Sequence, residues 1–254
     1  MASALRVAEE NLRDEHAPLG LDALDETALH PLLAQGFERA GWGVFRETLY
    51  PGDAGRSDDD DRGGEPSRRD QNGVDRREKD TARDRCDLVL TESPGVALLD
   101  PVHADRRLRA AADTLFADLA PAMEADANAD AVRPEDAFWL EIKSVAQYAY
   151  RDGVPGPNRS YAAEMVNGPA ADVCKLIGDG IIERAALALI LFTESEDIAR
   201  NDIDQTAHAL LDMGLPVGIP DIASTPIADR AGNAAATVAV FTARGLGVPI
   251  AFDE

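Results

Sequence analysis

Phe138-Trp139-Leu140-Glu141-Ile142-Lys143-Ser144-Val145 reads as a β-strand, because aromatic and β-branched residues alternate with polar ones. Side chains on a strand alternate faces, so Glu141 and Lys143 project from the same side, roughly 7 Å apart along it. A carboxylate and an ammonium side by side on a core strand form either a structural ion pair or part of a site. The stretch Arg85-Cys86-Asp87-Leu88-Val89-Leu90-Thr91 favours a site, since it is a second short strand with one carboxylate set into it.

The faces carry the argument further. Trp139, Glu141, Lys143 and Val145 share one face of their strand, and Asp87 shares one with Val89. Gly43 to Tyr50 alternates as a third strand, in which Glu47 lies with Phe45 and Leu49. Each charged residue is thus set among apolar neighbours, unlike a solvated face. Burying several carboxylates together is costly unless a cation joins them. A divalent ion held by Asp87 and Glu141, with Lys143 beside it, removes that cost. Hard carboxylate oxygens suit Mg²⁺, or Mn²⁺ in its place.

Around these strands the chain alternates helix and strand. Residues 1 to 25 hold a short helix with Leu5, Ala8 and Leu12 on one side, and Leu29, Leu32, Leu33, Gly36, Phe37 and Ala40 have helical spacing. Pro31 suits only the first turn of that helix. Residues 51–85, rich in Asp, Arg, Glu and Gly, read as a flexible polyampholyte loop. The strand of Asp87 extends with breaks through Val96 to Leu99, and residues 104–124 read as an amphipathic helix within an insertion spanning 101–136. Arg151 to Asn158 is a Gly/Pro-rich turn. Ala162 to Val166 and Pro169 to Arg184 have helical character. Ala186 to Phe192 is a continuous apolar run, as expected of a strand buried on both faces. Glu196 to Met213 is a further amphipathic helix, with strands expected at Leu215 to Ile219 and Thr237 to Ala243.

An Asp on one strand and Glu-x-Lys on the next resembles the signature of the PD-(D/E)XK nuclease superfamily. The order helix, strand, strand, strand, helix, strand resembles its αβββαβ core. The resemblance covers residues 29–193 and implies an α/β, restriction-endonuclease-like fold, with a mixed central sheet flanked by helices. The chain is then one domain, 1–254, with the two insertions above and a C-terminal extension over 194–254. The resemblance further implies a Mg²⁺- or Mn²⁺-dependent nuclease that hydrolyses phosphodiester bonds, with DNA the favoured substrate. Asp87 and Glu141 would bind the metal together with the backbone carbonyl of Ile142, and Lys143 would orient the attacking water. Cys86 stands where many members have Pro. Many also supply a Glu from the first helix; Glu38 faces away from the apolar stripe, Glu26 precedes the expected helix start, and His30 sits at its edge. Glu47 is therefore the candidate supporting carboxylate, weighed equally against a salt bridge to an Arg, and Gln147 is expected to line the same cleft. Lys175 reads as a helix-surface partner of Asp172.

Composition bounds these expectations. A formal net charge of −22 disfavours broad adhesion to nucleic acid, so binding would rest on local arginines such as Arg85, Arg151 or Arg159. It also supports the alternative of an inactive nuclease-fold protein with a binding or structural role. Lysine is nearly absent and arginine does most of the basic work; Lys79 lies in the charged loop, while Lys143 and Lys175 fall in ordered elements. No apolar run long enough for a membrane span occurs, and Met1 to Asp14 lacks a signal-peptide core. Cys86 and Cys174 have no CxxC spacing and read as reduced thiols of a cytoplasmic protein. Four scattered histidines make no zinc-hydrolase motif, and no Walker loop is present. The oligomeric state is left open, a homodimer included.

Overall fold

Arg184–Thr193 forms the strand around which the sheet is built, and every side chain from Ala185 to Thr193 is buried. Only a strand covered on both faces tolerates such an apolar run, and the computed structural model supplies both covers. It describes residues 1–52, 84–101 and 130–244, with 104, 107, 110, 114 and 119 between them. The expected charged loop and helical insertion thus lie largely outside the described residues.

The elements in order are α1 (Ala2–Asp14), a 3₁₀ turn (Leu21–Ala23), α2 (Glu26–Arg39), β1 (Gly43–Leu49), β2 (Arg85–Thr91) and β3 (Phe138–Ala146). Then follow β4 (Tyr148–Arg151), β5 (Val154–Pro157), α3 (Tyr161–Gly178), β6 (Arg184–Thr193), α4 (Glu196–Asp212), β7 (Asp221–Pro226) and β8 (Ala235–Arg244). Six strands make a mixed sheet in the order β1-β2-β3-β6-β8-β7. Only β3 and β6 run parallel; the other neighbours are antiparallel. β4 and β5 form a separate hairpin. The protein is an α/β fold with helices on both faces of a mixed sheet.

One face packs Leu88, Leu90, Leu140, Ile142 and Ile190 against α1 and α2 through Leu5, Leu29, Leu33 and Phe37. α1 crosses α2 so closely that a Cβ on Gly36 would come within 2.8 Å of Ala4. The other face packs Val89, Trp139, Val145, Leu187 and Leu189 against α3 and α4 through Val173, Leu176, Ala199 and Ile203. Among the described residues no helix is long and apolar enough to cross a membrane.

Several boundaries differ from those expected. α2 starts three residues before Leu29, which places Pro31 inside the helix beyond its first turn. α3 is one helix through Pro169. Arg151 to Asn158 contains β5 and the Asp152-Gly153 corner of a hairpin. Leu98 makes only an isolated bridge with Val132. Leu215 to Ile219 is not a strand, because Pro216 and Pro220 supply no N–H to a ladder; β7 begins after Pro220. Both cysteines are free, Cys86 buried and Cys174 exposed.

Candidate metal centre where two strands part

β2 and β3 pair through Leu90↔Phe138, Val89↔Trp139 and Leu88↔Leu140, and there the ladder stops. At the next step the Asp87 side chain takes the place of backbone: its Oδ2 accepts the Ile142 N–H at 2.7 Å. The strands part because a carboxylate occupies the gap.

β1 changes at the same level. Arg46 pairs with Leu88 and Thr48 with Cys86, while Glu47 and Asp87 drop out of the pairing. Glu47 has φ +51°, in the left-handed region that side chains seldom adopt. Alternation is interrupted there. Cys86 and Tyr50 join the Trp139 side of the core, although stepping by two from Leu88 and Val44 would place them on the Leu140 side. Sequence alternation put Glu47 on the face of Phe45. In the structure its carboxylate instead reaches α2, with Oε1 3.4 Å from His30 Nδ1.

His30 is 2% exposed, and neither ring nitrogen has a hydrogen-bond partner. Its Nε2 lies 3.8 Å from Asp87 Oδ1. His30, Glu47 and Asp87 each bring one ligand atom within 4.8 Å of the others. Buried polar nitrogens without partners are costly, and an imidazole nitrogen between two carboxylates is a natural cation ligand.

Glu141 lies on the other side of Asp87, also 2% exposed. Its Oε1 accepts from the Tyr50 hydroxyl, whose ring stacks on Trp139 with centroids 5.9 Å apart. Burial, then the adjoining Asp87 charge, push its carboxyl up to about 9; the Tyr50 hydrogen bond and the Lys175 charge act in the opposite direction. Burial likewise pushes the Cys86 thiol up, with the charges of Glu141 and Asp87 adding to it. Asp87 is thus the hinge of the cluster, with Glu141 toward α3 and His30 toward α2.

Lys143 Nζ donates to Glu26 Oε1 at 2.9 Å and lies 3.6 Å from Asp172 Oδ2. Glu26 Oε2 accepts the Ser144 N–H at 2.9 Å, so this first residue of α2 is tied to β3 twice. Burial works against the Lys143 ammonium. Its bond to Glu26, with the charges of Asp172, Glu26 and Asp87, outweighs burial and holds it above its ordinary value. α3 approaches so closely that a Cβ on Gly168 would meet Lys143 Cδ at 3.0 Å.

Asp87 adjoins Glu141 and holds the Ile142 N–H between Glu141 and Lys143, while the Lys143 ammonium is held by Glu26 and Asp172 and His30 lies on the α2 side. The tightest ligand grouping among the described residues is His30–Glu47–Asp87 rather than a set built on Asp87 and Glu141. Gln147 is engaged elsewhere: its Oε1 accepts the Glu194 N–H and its own N–H donates to the Phe192 carbonyl, joining the ends of β3 and β6. Arg85 donates to the Glu47 backbone carbonyl at 2.7 Å, not to its carboxylate. Sequence alone sets Glu26 before the helix because Pro31 suits only a first turn, whereas α2 begins at Glu26 itself. The signal that could have found it is Asp25-Glu26, acidic residues suited to a helix N-terminus.

No family model, curated protein or solved structure matches the chain. Fold and site define an α/β protein whose mixed sheet opens at one strand pair onto buried carboxylates, a histidine and a lysine.

Proposed function

We propose that the chain is a divalent-metal-dependent nuclease with a PD-(D/E)XK-type core, acting on phosphodiester bonds and on DNA in particular. One observation carries the reading: Asp87 fills the gap where β2 leaves β3, flanked by buried Glu141 and by buried His30 with both ring nitrogens unpartnered. Carboxylates this crowded, beside an imidazole without partners, are the donor set of a cation site. The residues fit Mg²⁺ or Mn²⁺, and the histidine nitrogen tilts the set toward Mn²⁺.

His30, Glu47 and Asp87 would hold the ion, with Glu141 beside Asp87 on its other side. Ile142 presents its N–H to Asp87; its carbonyl leaves the strand on the same side and would be a further ligand. A bound ion supplies Lewis acidity toward a phosphoryl oxygen. The chain's own residues do the rest. Lys143, anchored by Glu26, keeps a compact ammonium beside the carboxylates to orient water or neutralise phosphate charge. Tyr50 fixes one oxygen of Glu141, and the α3 surface around Gly168 limits where Lys143 can move.

The test is cleavage of labelled single-stranded, duplex and branched DNA, and of RNA, with Mg²⁺ or Mn²⁺ at millimolar levels. Cleavage stopped by EDTA and lost in Glu141→Ala is expected. Cleavage that survives in Glu141→Ala would place the chemistry outside this centre. A second reading, a non-catalytic protein on the same fold, draws on the −22 net charge and on the capture of Lys143 by two carboxylates. Wild-type protein that cuts none of the substrates with either metal favours it.

A further inference from the structure

The chain has 25 basic residues, and only three are lysines: Lys79, Lys143 and Lys175. Lys143 and Lys175 meet at one carboxylate. Asp172, 7% exposed, lies with Oδ1 2.8 Å from Lys175 Nζ and Oδ2 3.6 Å from Lys143 Nζ. A surface pair one helical turn apart would need nothing more than Asp172 and Lys175, which is how the sequence alone reads. The structure adds a second ammonium, from a different element, on the same carboxylate.

We infer that Lys175 is a second phosphate-facing cation of the proposed centre, and that Asp172 is the positioning residue that holds Lys175 and Lys143 side by side. The inference rests on the phosphodiesterase reading above and names a further residue for that reaction. Three observations support it. Asp172 joins the Lys175 ammonium on α3 to the Lys143 ammonium on β3, at 2.8 and 3.6 Å, so Lys175 is tied to a residue of the centre. Its side chain is about one-third exposed. A chain that uses arginine almost everywhere else has lysine at both positions. Lysine offers a compact, rotatable ammonium in place of the planar fork of arginine.

The arrangement has a chemical use. Asp87, Glu141, Glu26, Glu47 and Asp172 gather five carboxylates about His30, Lys143 and Lys175, which would repel a phosphodiester. An ion offsets part of that charge and Lys143 another part. Lys175, released from Asp172 or sharing it, supplies the remaining positive charge on the α3 side. Asp172 thereby sets the separation of two ammoniums that converge on one phosphate.

The experiment has two readouts. In the first, the protein is treated briefly with an amine-acylating reagent in Ca²⁺, with and without a 12-nucleotide single strand and its duplex. Three lysines make the acylated positions easy to assign by mass spectrometry. Bound DNA is expected to slow acylation of Lys175 and Lys143 at least fivefold. In the second, single-turnover cleavage is compared in Mn²⁺. Lys175→Ala is expected to lower the rate by about two orders of magnitude with little change in DNA affinity. Lys175→Arg should restore little of it, and Asp172→Glu should restore more activity than Asp172→Asn. Thermal melting shows whether each variant is folded, and Lys175→Gln serves as the milder form.

Cleavage by Lys175→Ala and Lys175→Gln at the wild-type rate, or acylation of Lys175 unchanged by bound DNA, overturns the inference and leaves the nuclease reading standing. A wild-type protein that neither cuts nor binds any substrate removes the nuclease reading, and the inference falls with it.

Discussion

Among the described residues, two of the groups that hold buried carboxylates are satisfied differently. The first joins α1, the 3₁₀ turn and the loop before β8. Glu9 accepts from Arg230 at 2.9 Å and from the Ala228 N–H, while Asp22 accepts from Asn233 at 2.8 Å. An arginine and an asparagine close it. The second is the Asp87 centre, where the cations are lysines, one carboxyl is pushed up to about 9, and a histidine has both nitrogens unpartnered. The first group leaves orphan atoms too, one oxygen each on Glu9 and Asp22, but it ties chain segments together. The second interrupts a ladder that would otherwise continue. Burial of charge alone therefore does not separate structure from function; what the charges hold apart does.

The largest expected contrast is in activity. Asp87→Ala and Glu141→Ala should each lower phosphodiester cleavage by about three orders of magnitude or more, since they remove several kcal/mol of charge stabilisation. Lys143→Arg should also fail, as a guanidinium does not replace the compact ammonium held by Glu26 and Asp172. Arg230→Ala should leave the folded protein active. Its effect falls on stability, about 3–5 kcal/mol, because Glu9 stays buried without its partner. Cleavage assays beside thermal melts read both. Equal activity losses in the two groups would erase the distinction.

Metal response should be nearly as large. Excess Mn²⁺ at about 100 times its dissociation constant stabilises the chain by about 2.7 kcal/mol, and His30→Ala should abolish that shift in calorimetry or melting. Arg230→Ala should retain it. A shift that survives in His30→Ala would move the ion away from the α2 side of Asp87.

Much of this was legible in the sequence, for reasons that mark where legibility ends. Glu141 and Lys143 stand on a strand whose alternation is regular, Trp139 and Val145 on one side and Leu140 and Ile142 on the other, whereas Asp87 stands where alternation breaks between Cys86 and Leu88. The apolar run of β6 is readable because nothing else buries so many consecutive side chains. Glu47 was misplaced because a left-handed residue inside a strand leaves no pattern in the sequence when it is not glycine. His30 is invisible as a centre residue until α2 is docked on the sheet. Lys175 was read correctly as the partner of Asp172, but a pair along one helix says nothing about a third residue from β3.

A further effect should appear with pH in metal-free protein. Glu141 keeps its proton in the folded chain from its ordinary value of 4.5 up to about 9, a range in which the unfolded chain has lost it. The folded state binds more protons there, so the stability linked to Glu141 is complete below the lower value and is lost as pH rises toward the upper one. The melting temperature of wild type should therefore fall across that window more steeply than that of Glu141→Gln. Asp22 is also raised, by burial first, and has the same sign above its own ordinary value. The slope that remains in Glu141→Gln includes that share, offset by the Met1 ammonium, which burial lowers and which therefore gains stability as pH rises.

The smallest expected change is that of Tyr50→Phe. The hydroxyl donates to Glu141 Oε1 and has no other role in the centre, while the ring is held by its stacking on Trp139. Removing the oxygen alone preserves that stacking and leaves a buried carboxyl oxygen short of a donor, a loss of about 1–3 kcal/mol. For a chain of this size that lowers the melting temperature by about 2–4 °C per kcal/mol. The hydroxyl opposes the upward pull on Glu141, so Tyr50→Phe should move the alkaline end of the stability window to higher pH. Asn233→Ala in the other group removes a comparable donor from Asp22, and should destabilise without moving the Glu141 window. A Tyr50→Phe protein with an unchanged pH dependence would mean that Tyr50 props the core and does not tune the carboxylate it touches.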